Sequence, residues 1–213
     1  MIKEVPKGHT VCPEKQGVIK VMGKIYCIFG KTATGKDTIF RELLLRRPDL
    51  RTYVMYTTRP PREGEADGVA YHFTTEAALL QAEAAGRLIE RRTYQTVHGP
   101  WTYATLDDGQ IDLSAGDYLV PATLESYQSL VAYYGREQLQ PIYIEADDGE
   151  RLIRSVRREQ RERVPKYREV CRRFLSDEDD FSEEKLAAAG IKKRYRNEAL
   201  EACVAEILRD MDV

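Results

Sequence analysis

An apolar stretch, Ile25-Tyr26-Cys27-Ile28-Phe29, runs directly into Gly30-Lys31-Thr32-Ala33-Thr34-Gly35-Lys36-Asp37-Thr38, and then into Ile39-Phe40-Arg41-Glu42-Leu43-Leu44-Leu45, whose apolar residues recur at helical spacing. A strand that feeds a helix through a glycine-flanked loop ending in lysine constrains this chain more than any other feature it has. The glycines let successive backbone N–H groups turn into one concavity, and the helix N-terminus adds its positive end, so the loop is suited to phosphate. Residues 30–38 would wrap the phosphates of a nucleoside triphosphate, with Lys36 reaching the β- and γ-groups. The usual pattern puts Ser or Thr directly after that lysine, to touch Mg²⁺; here Asp37 stands there and Thr38 follows. Asp37 either holds Mg²⁺ through water or simply favours the helix N-terminus electrostatically.

The pattern around this unit alternates. Residues 52–56 are β-branched and aromatic and read as a strand; 57–69 are rich in proline, glycine and charge and read as a structured loop. Strand character returns at 69–73, a helix at 74–85, and strand character at 87–96, with Gly99-Pro100 turning the chain back into 101–103. A short strand at 117–120, a helix at 124–134, a strand at 141–144 and a helix at 149–163 follow, and a last helix runs to about 208. Strands alternating with helices predict an α/β fold, a three-layer α/β/α parallel sheet of the P-loop NTPase type, with section 57–106 inserted into it. Residues 1–23, punctuated by Pro6, Gly8, Pro13, Gly17 and Gly23, read as an arm or short hairpin laid on a domain of 24–213.

Composition narrows the function classes. The 213 residues carry 33 basic and 35 acidic side chains, so no net field drives the chain toward nucleic acid or a membrane. Cys12, Cys27, Cys171 and Cys203 are scattered with no zinc or disulfide spacing, and His9 beside Cys12 lacks further ligands. No leader-like segment or membrane-length apolar run is present, which suits a soluble protein of the reducing cytoplasm.

The second informative stretch is Thr57-Thr58-Arg59-Pro60-Pro61-Arg62-Glu63-Gly64-Glu65-Ala66-Asp67-Gly68-Val69-Ala70-Tyr71-His72-Phe73. Prolines stiffen a loop that presents two guanidinium forks, a geometry suited to bidentate recognition of phosphate. This stretch resembles the guanylate kinases, whose acceptor-site signature T-T-R-x-P-R-x-G-E-x-x-G-x-x-Y-x-F it matches at every fixed position, and the likeness extends over about residues 24–210.

The resemblance implies a set of roles. Arg59, Arg62 and Tyr71 would hold the phosphate of a nucleoside monophosphate. Leu88-Ile89-Glu90 matches the family's F-I-E segment, making Glu90 the reader of the guanine edge. Tyr103-Ala104-Thr105 answers to its Y-G-T or Y-G-S triplet, with about one residue inserted before it and Ala for Gly, so Tyr103 would touch the phosphate and Thr105 the base. Two base contacts differ: Met55 stands where the family has a guanine-binding Ser, and Thr123 where it has the second aspartate of D-x-D. Loss of those two hydrogen bonds would weaken or redirect a preference for guanine.

An arginine cluster forms the third motif. Arg154, Arg157, Arg158 and Arg161 share one helical face, with Arg151, Arg163, Arg172 and Arg173 nearby. In the family this region, about 147–181 here, is a lid that closes over the triphosphate, and Arg154, Arg157 and Arg173 are the expected contacts. An RNA-binding face is the weaker reading, since no aromatic platform accompanies the charge. Asn197, in Tyr195-Arg196-Asn197-Glu198-Ala199-Leu200, would contact adenine or cap the last helix. The resemblance thus implies an ATP- and Mg²⁺-dependent kinase of a nucleoside monophosphate, GMP or dGMP first, with Lys36, Arg59 and the lid arginines as its catalytic residues. Its partners would be those two nucleotides, without nucleic acid or membrane, and the oligomeric state is left open. Two alternatives stand beside it: a kinase of another monophosphate or a ribose phosphate, and a guanylate-kinase-like binding domain without activity.

Overall fold

In the computed structural model the described residues are 22–96 and 99–212, so the expected N-terminal arm lies outside them except for Met22 and Gly23. The centre is β1 (Ile25–Phe29), all five of whose residues are buried. It lies parallel to β6 (Tyr118–Pro121) on one side and to β7 (Leu139–Glu145) on the other, and β8 (Tyr195–Arg196) extends the sheet beyond β7 in parallel. Successive side chains of a strand face opposite ways. Ile25, Cys27 and Phe29 accordingly enter one core with Tyr127 and Leu130 of α3 (Leu124–Tyr134) and Leu186 of α6 (Glu183–Ala188). Tyr26 and Ile28 enter the opposite core with Ile39 and Leu43 of α1 (Lys36–Arg46) and Val204 and Ile207 of α7 (Leu200–Met211). This is the expected sheet with helices on both faces. Burial pushes the Cys27 thiol well above its ordinary range, so it stays an uncharged core residue.

A second sheet stands beside the loop end of the first. Its order is β3 (His72–Phe73), β2 (Tyr56–Thr57), β5 (Gly99–Leu106), β4 (Leu88–Thr96), and β4 and β5 form an antiparallel hairpin. Helix α2 (Glu76–Ala84) accompanies it, its N-terminus capped by the Thr75 hydroxyl, which accepts from the Ala78 N–H at 3.2 Å.

Three expectations change. The strand expected at 52–56 is reduced to Tyr56, plus a single parallel bridge between Arg51 and Tyr118. Gln110 explains the gap: its side-chain amide accepts from the Val54 N–H at 2.9 Å and donates to the Val54 carbonyl at 3.2 Å, replacing a strand partner as the chain crosses between sheets. Strand 69–73 keeps only its last two residues, because Val69 and Ala70 both turn back to the Ala66 carbonyl. The helix expected at 149–163 is α4 (Asp148–Glu159), which closes when the Arg161 N–H folds back onto the Arg158 carbonyl. Two helices with no sequence expectation follow it, α5 (Tyr167–Asp180) and α6. Among the described residues no helix is long and apolar enough to cross a membrane.

Candidate functional site

The phosphate loop leaves β1 at its buried end. Phe29 anchors it there, with ring centroids 5.4 Å from Tyr127, 5.8 Å from Tyr143 and 6.4 Å from Phe181, the last in a stacked arrangement. Aromatic pairs of this kind contribute about 0.5–1.5 kcal/mol each beyond simple burial. Gly35 adopts φ +90°, and a Cβ there would meet the Asn197 amide nitrogen at 2.3 Å, so the position excludes a side chain twice over. Ala33 also takes positive φ, at 64°, an uncommon state for a residue with a Cβ. Asn197 itself is buried and donates its amide to the Thr34 carbonyl at 2.8 Å. It therefore does not cap α7, whose N-cap is Ala199 without a side-chain bond. It braces the loop from below.

Lys36 is half-buried, and Asp37 and Thr38 are exposed at the start of α1. Helices α4 and α5 lie over them: Arg154, Arg158 and Arg173 border a cleft of about 380 Å³ together with Lys36 and Asp37. The arginine that joins Arg154 there is Arg158, one helical turn on, while Arg157, also exposed, does not border this cleft. Arg173 is shared with an ion pair to Glu169 at 2.8 Å. Arg151 is turned inward instead. Buried to 1% exposure, it donates to the Thr32 carbonyl at 3.0 Å and pairs with Asp177 at 2.9 Å, with Glu178 at 3.3 Å and with Asp148. Asp177 in turn accepts from the Thr32 N–H at 2.6 Å, and Glu178 pairs with Lys31 at 2.6 Å. Two carboxylates of α5 thus occupy the first turn of the loop, a contact the sequence reading did not foresee.

Across the cleft, the loop 57–73 holds Arg59 at 3% exposure. Its guanidinium makes two bonds of 2.7 Å to the Glu65 carboxylate and lies 5.0 Å above the Tyr71 ring and 5.7 Å above Phe73. Glu65 also accepts from the Arg62 N–H at 2.8 Å, while the Arg62 side chain is exposed. The hydrogen bond to Arg59, then that to the Arg62 N–H, holds the Glu65 carboxyl down at about 2. Tyr103 stands edge-on to Tyr71 at 5.6 Å and to Tyr94 at 5.9 Å. Glu65 was a fixed letter of the signature without an assigned role; the structure makes it the clamp of Arg59.

The four positions expected at the base, 55, 90, 105 and 123, do converge, and a fifth residue joins them. Arg92, two positions after Glu90 on β4 and so on the same face, donates to Glu90 at 2.9 and 3.3 Å, to the Thr123 hydroxyl at 3.1 Å and to the Met55 sulfur at 3.8 Å. Thr105 donates to Glu90 at 2.9 Å and shares a 3.1 Å hydroxyl bond with Tyr53. The Glu90 side chain is 2% exposed and that of Arg92 9%. Burial works against the charge on Arg92; the Glu90 carboxylate outweighs it and raises the guanidinium above its ordinary value. The strand period of two was the signal that would have found Arg92.

A cavity of about 570 Å³ is bordered by Gly30, Thr32 and Lys36 of the phosphate loop, by Tyr94 of β4 and by Thr123. No group of three or more His, Cys, Asp or Glu that could hold a metal ion exists among the described residues. Asp37 borders the cleft together with Lys36, and Asp177 and Asp180 border the cavity.

Sequence comparison matches residues 22–105 to the guanylate kinase family. The chain is 41% identical to a guanylate kinase of Bifidobacterium longum over 104 residues, 48% of this chain and 50% of that protein. It is 40% identical to one of Neisseria gonorrhoeae over 96 residues, 45% of each. The chain therefore spans about half the length of the curated relatives it matches. Among solved structures, a guanylate kinase from Anaplasma phagocytophilum superposes with a TM-score of 0.57 over 90% of this chain and 85% of that one, at 17% identity, a likeness of fold.

Proposed function

We propose that this chain, whose residues 22–105 belong to the guanylate kinase family and which carries that family's fold over nine-tenths of its length, transfers the γ-phosphoryl group of ATP to GMP or dGMP. One observation supports this most: a single cavity is lined by Gly30, Thr32 and Lys36 of the phosphate loop and also by Thr123, a position expected at the base. The acceptor's own phosphate oxygen is the nucleophile, so no side chain need attack. It bonds to the γ-phosphorus as the bond to the β-bridging oxygen breaks, giving ADP and the nucleoside diphosphate.

What remains for the protein is to position two anions and neutralise the charge between them. Lys36 and the loop amides hold the triphosphate; Arg59, fixed by Glu65 and flanked by Tyr71 and Tyr103, faces the acceptor phosphate. Arg154, Arg158 and Arg173 belong to the segment we read as the lid, with Arg157 at its outer surface. Mg²⁺ carried by ATP would withdraw charge from the β- and γ-oxygens, and Asp37 is the carboxylate placed to hold it through water. The thiols Cys27, Cys171 and Cys203 suit a reducing compartment such as the cytoplasm.

Replacing Lys36 with Ala tests the assignment. GMP-dependent ADP release, followed by a coupled assay, should fall at least about a hundredfold, equivalent to about 2.7 kcal/mol of transition-state stabilisation. The circular dichroism spectrum should not change. Turnover within about tenfold of the parent would show that the loop is not the catalytic cradle.

A further inference from the structure

We infer that Arg92 is a specificity-determining residue which changes what the acceptor pocket reads: the lactam edge of a 6-oxopurine, a ring carbonyl beside a ring N–H, irrespective of an amino group at C2. This rests on the proposed phosphoryl transfer and concerns the acceptor end of the same site.

The argument is a count of donors and acceptors. An ionised carboxylate has about four lone-pair sites. On Glu90, Oε1 accepts from Arg92 Nη2 at 3.3 Å and from Thr105 at 2.9 Å, and Oε2 accepts from Arg92 Nε at 2.9 Å. About one site remains on Oε2, whereas the N1–H and 2-amino group of guanine together require two. Thr123 cannot supply the second. Its Oγ1 already accepts from Arg92 Nη1 at 3.1 Å and from the Ser126 N–H at 3.2 Å, as the cap of α3. A hydroxyl has two lone pairs, and both are engaged.

The donors show the converse. Of the five N–H groups of a guanidinium, Arg92 commits one Nη1 hydrogen to Thr123 and one Nη2 hydrogen to Glu90, and its other Nη2 hydrogen meets only the Met55 thioether at 3.8 Å. The guanidinium bonded to Glu90 through Nε and Nη2 therefore keeps donor capacity on its Nη groups, while the carboxylate keeps about one acceptor site. One donor next to one acceptor complements a C6 carbonyl next to N1–H, and leaves the 2-amino group without a partner. The two departures at positions 55 and 123 are thus linked: Met55 supplies no hydroxyl to the base carbonyl and Arg92 supplies an N–H in its place, while Thr123 is consumed in holding Arg92. Adenine presents the opposite order of donor and acceptor, and a pyrimidine has the edge without the second ring.

The test compares GMP, IMP, AMP and UMP as acceptors for the full-length protein with ATP, alongside calorimetric binding of the same four. IMP should be used within about threefold of GMP in kcat/KM, and AMP and UMP at least about tenfold worse, the order expected when a site's polar groups are mismatched. Thr123→Asp, conservative as a helix cap, adds an acceptor and should raise the GMP to IMP ratio at least about tenfold. Arg92→Lys keeps the charge opposite Glu90 but loses the fork, which frees an acceptor site on Glu90 and the Thr123 hydroxyl, and should raise the GMP to IMP ratio while lowering turnover of IMP. A parent enzyme that prefers GMP to IMP by more than about thirtyfold, or that prefers AMP, overturns the inference and leaves the kinase reading intact. If no monophosphate is phosphorylated, the kinase reading fails, and calorimetry decides the inference separately: equal affinities for GMP and IMP uphold it, while a strong GMP preference or no binding of either overturns it.

Discussion

Glu65 shows how one residue carries the acceptor loop. Its carboxylate takes both forks of Arg59 at 2.7 Å and the Arg62 N–H at 2.8 Å, so it fixes the direction in which the buried guanidinium faces. Glu65→Gln should raise the KM for the monophosphate about tenfold with the KM for ATP unmoved, since a single charge-assisted contact is lost on one side of the cleft. Steady-state kinetics with each substrate varied in turn checks this. The pH dependence follows from the same pair. Its folded-state value of about 2 lies below the ordinary 4.5, so the contribution to stability is full above about pH 4.5 and is lost as pH falls toward 2. The stability difference between parent and Glu65→Gln, from denaturant titrations, should be constant above pH 5 and shrink below it. The positions singled out in the sequence fall into two contact groups about the second sheet, Arg59 with Tyr71 and Tyr103, and Glu90 with Thr105. Arg92 was not legible, because the acceptor signature has no counterpart at its position, and only the strand period would have placed it beside Glu90.

At the scale of elements, the phosphate loop is gripped from two sides. Asn197, just after β8, holds the Thr34 carbonyl from below, and α5 sets Asp177 against the Thr32 N–H from above. The close approach of Gly35 to Asn197 makes these two positions one unit. Asn197→Ala and Gly35→Ala should each raise the KM for ATP, and the double variant should cost less than their sum by about 0.5–3 kcal/mol, the coupling typical of residues in contact. Additive losses in that cycle would show that the contact does not shape the loop. The sequence was informative where apolar residues set the period, as in β1, α1 and α3. It was silent over 164–194 because α5 buries Val170 alone, and charge rather than an apolar stripe fills its length. It misplaced the strand at 52–56 because a distant side chain, Gln110, took the backbone groups a neighbouring strand would have used.

For the whole molecule, the loop that follows β1, Tyr94 of the second sheet and Thr123 at the start of α3 border one cavity of about 570 Å³. The proposed transfer needs both anions in one enclosure, since each held alone would not react. Closure of α4 and α5 over the loop would also keep water from the γ-phosphoryl group, so ATP should be nearly inert when no acceptor is present. The most direct measurement follows all phosphorus species in a mixture of the full-length protein, ATP, Mg²⁺ and GMP by ³¹P NMR. ADP and GDP should appear together in a one-to-one ratio, with inorganic phosphate negligible and no ATP consumed when GMP is omitted. Release of inorganic phosphate in place of GDP, or tight GMP binding with no turnover of ATP, would contradict the proposed transfer.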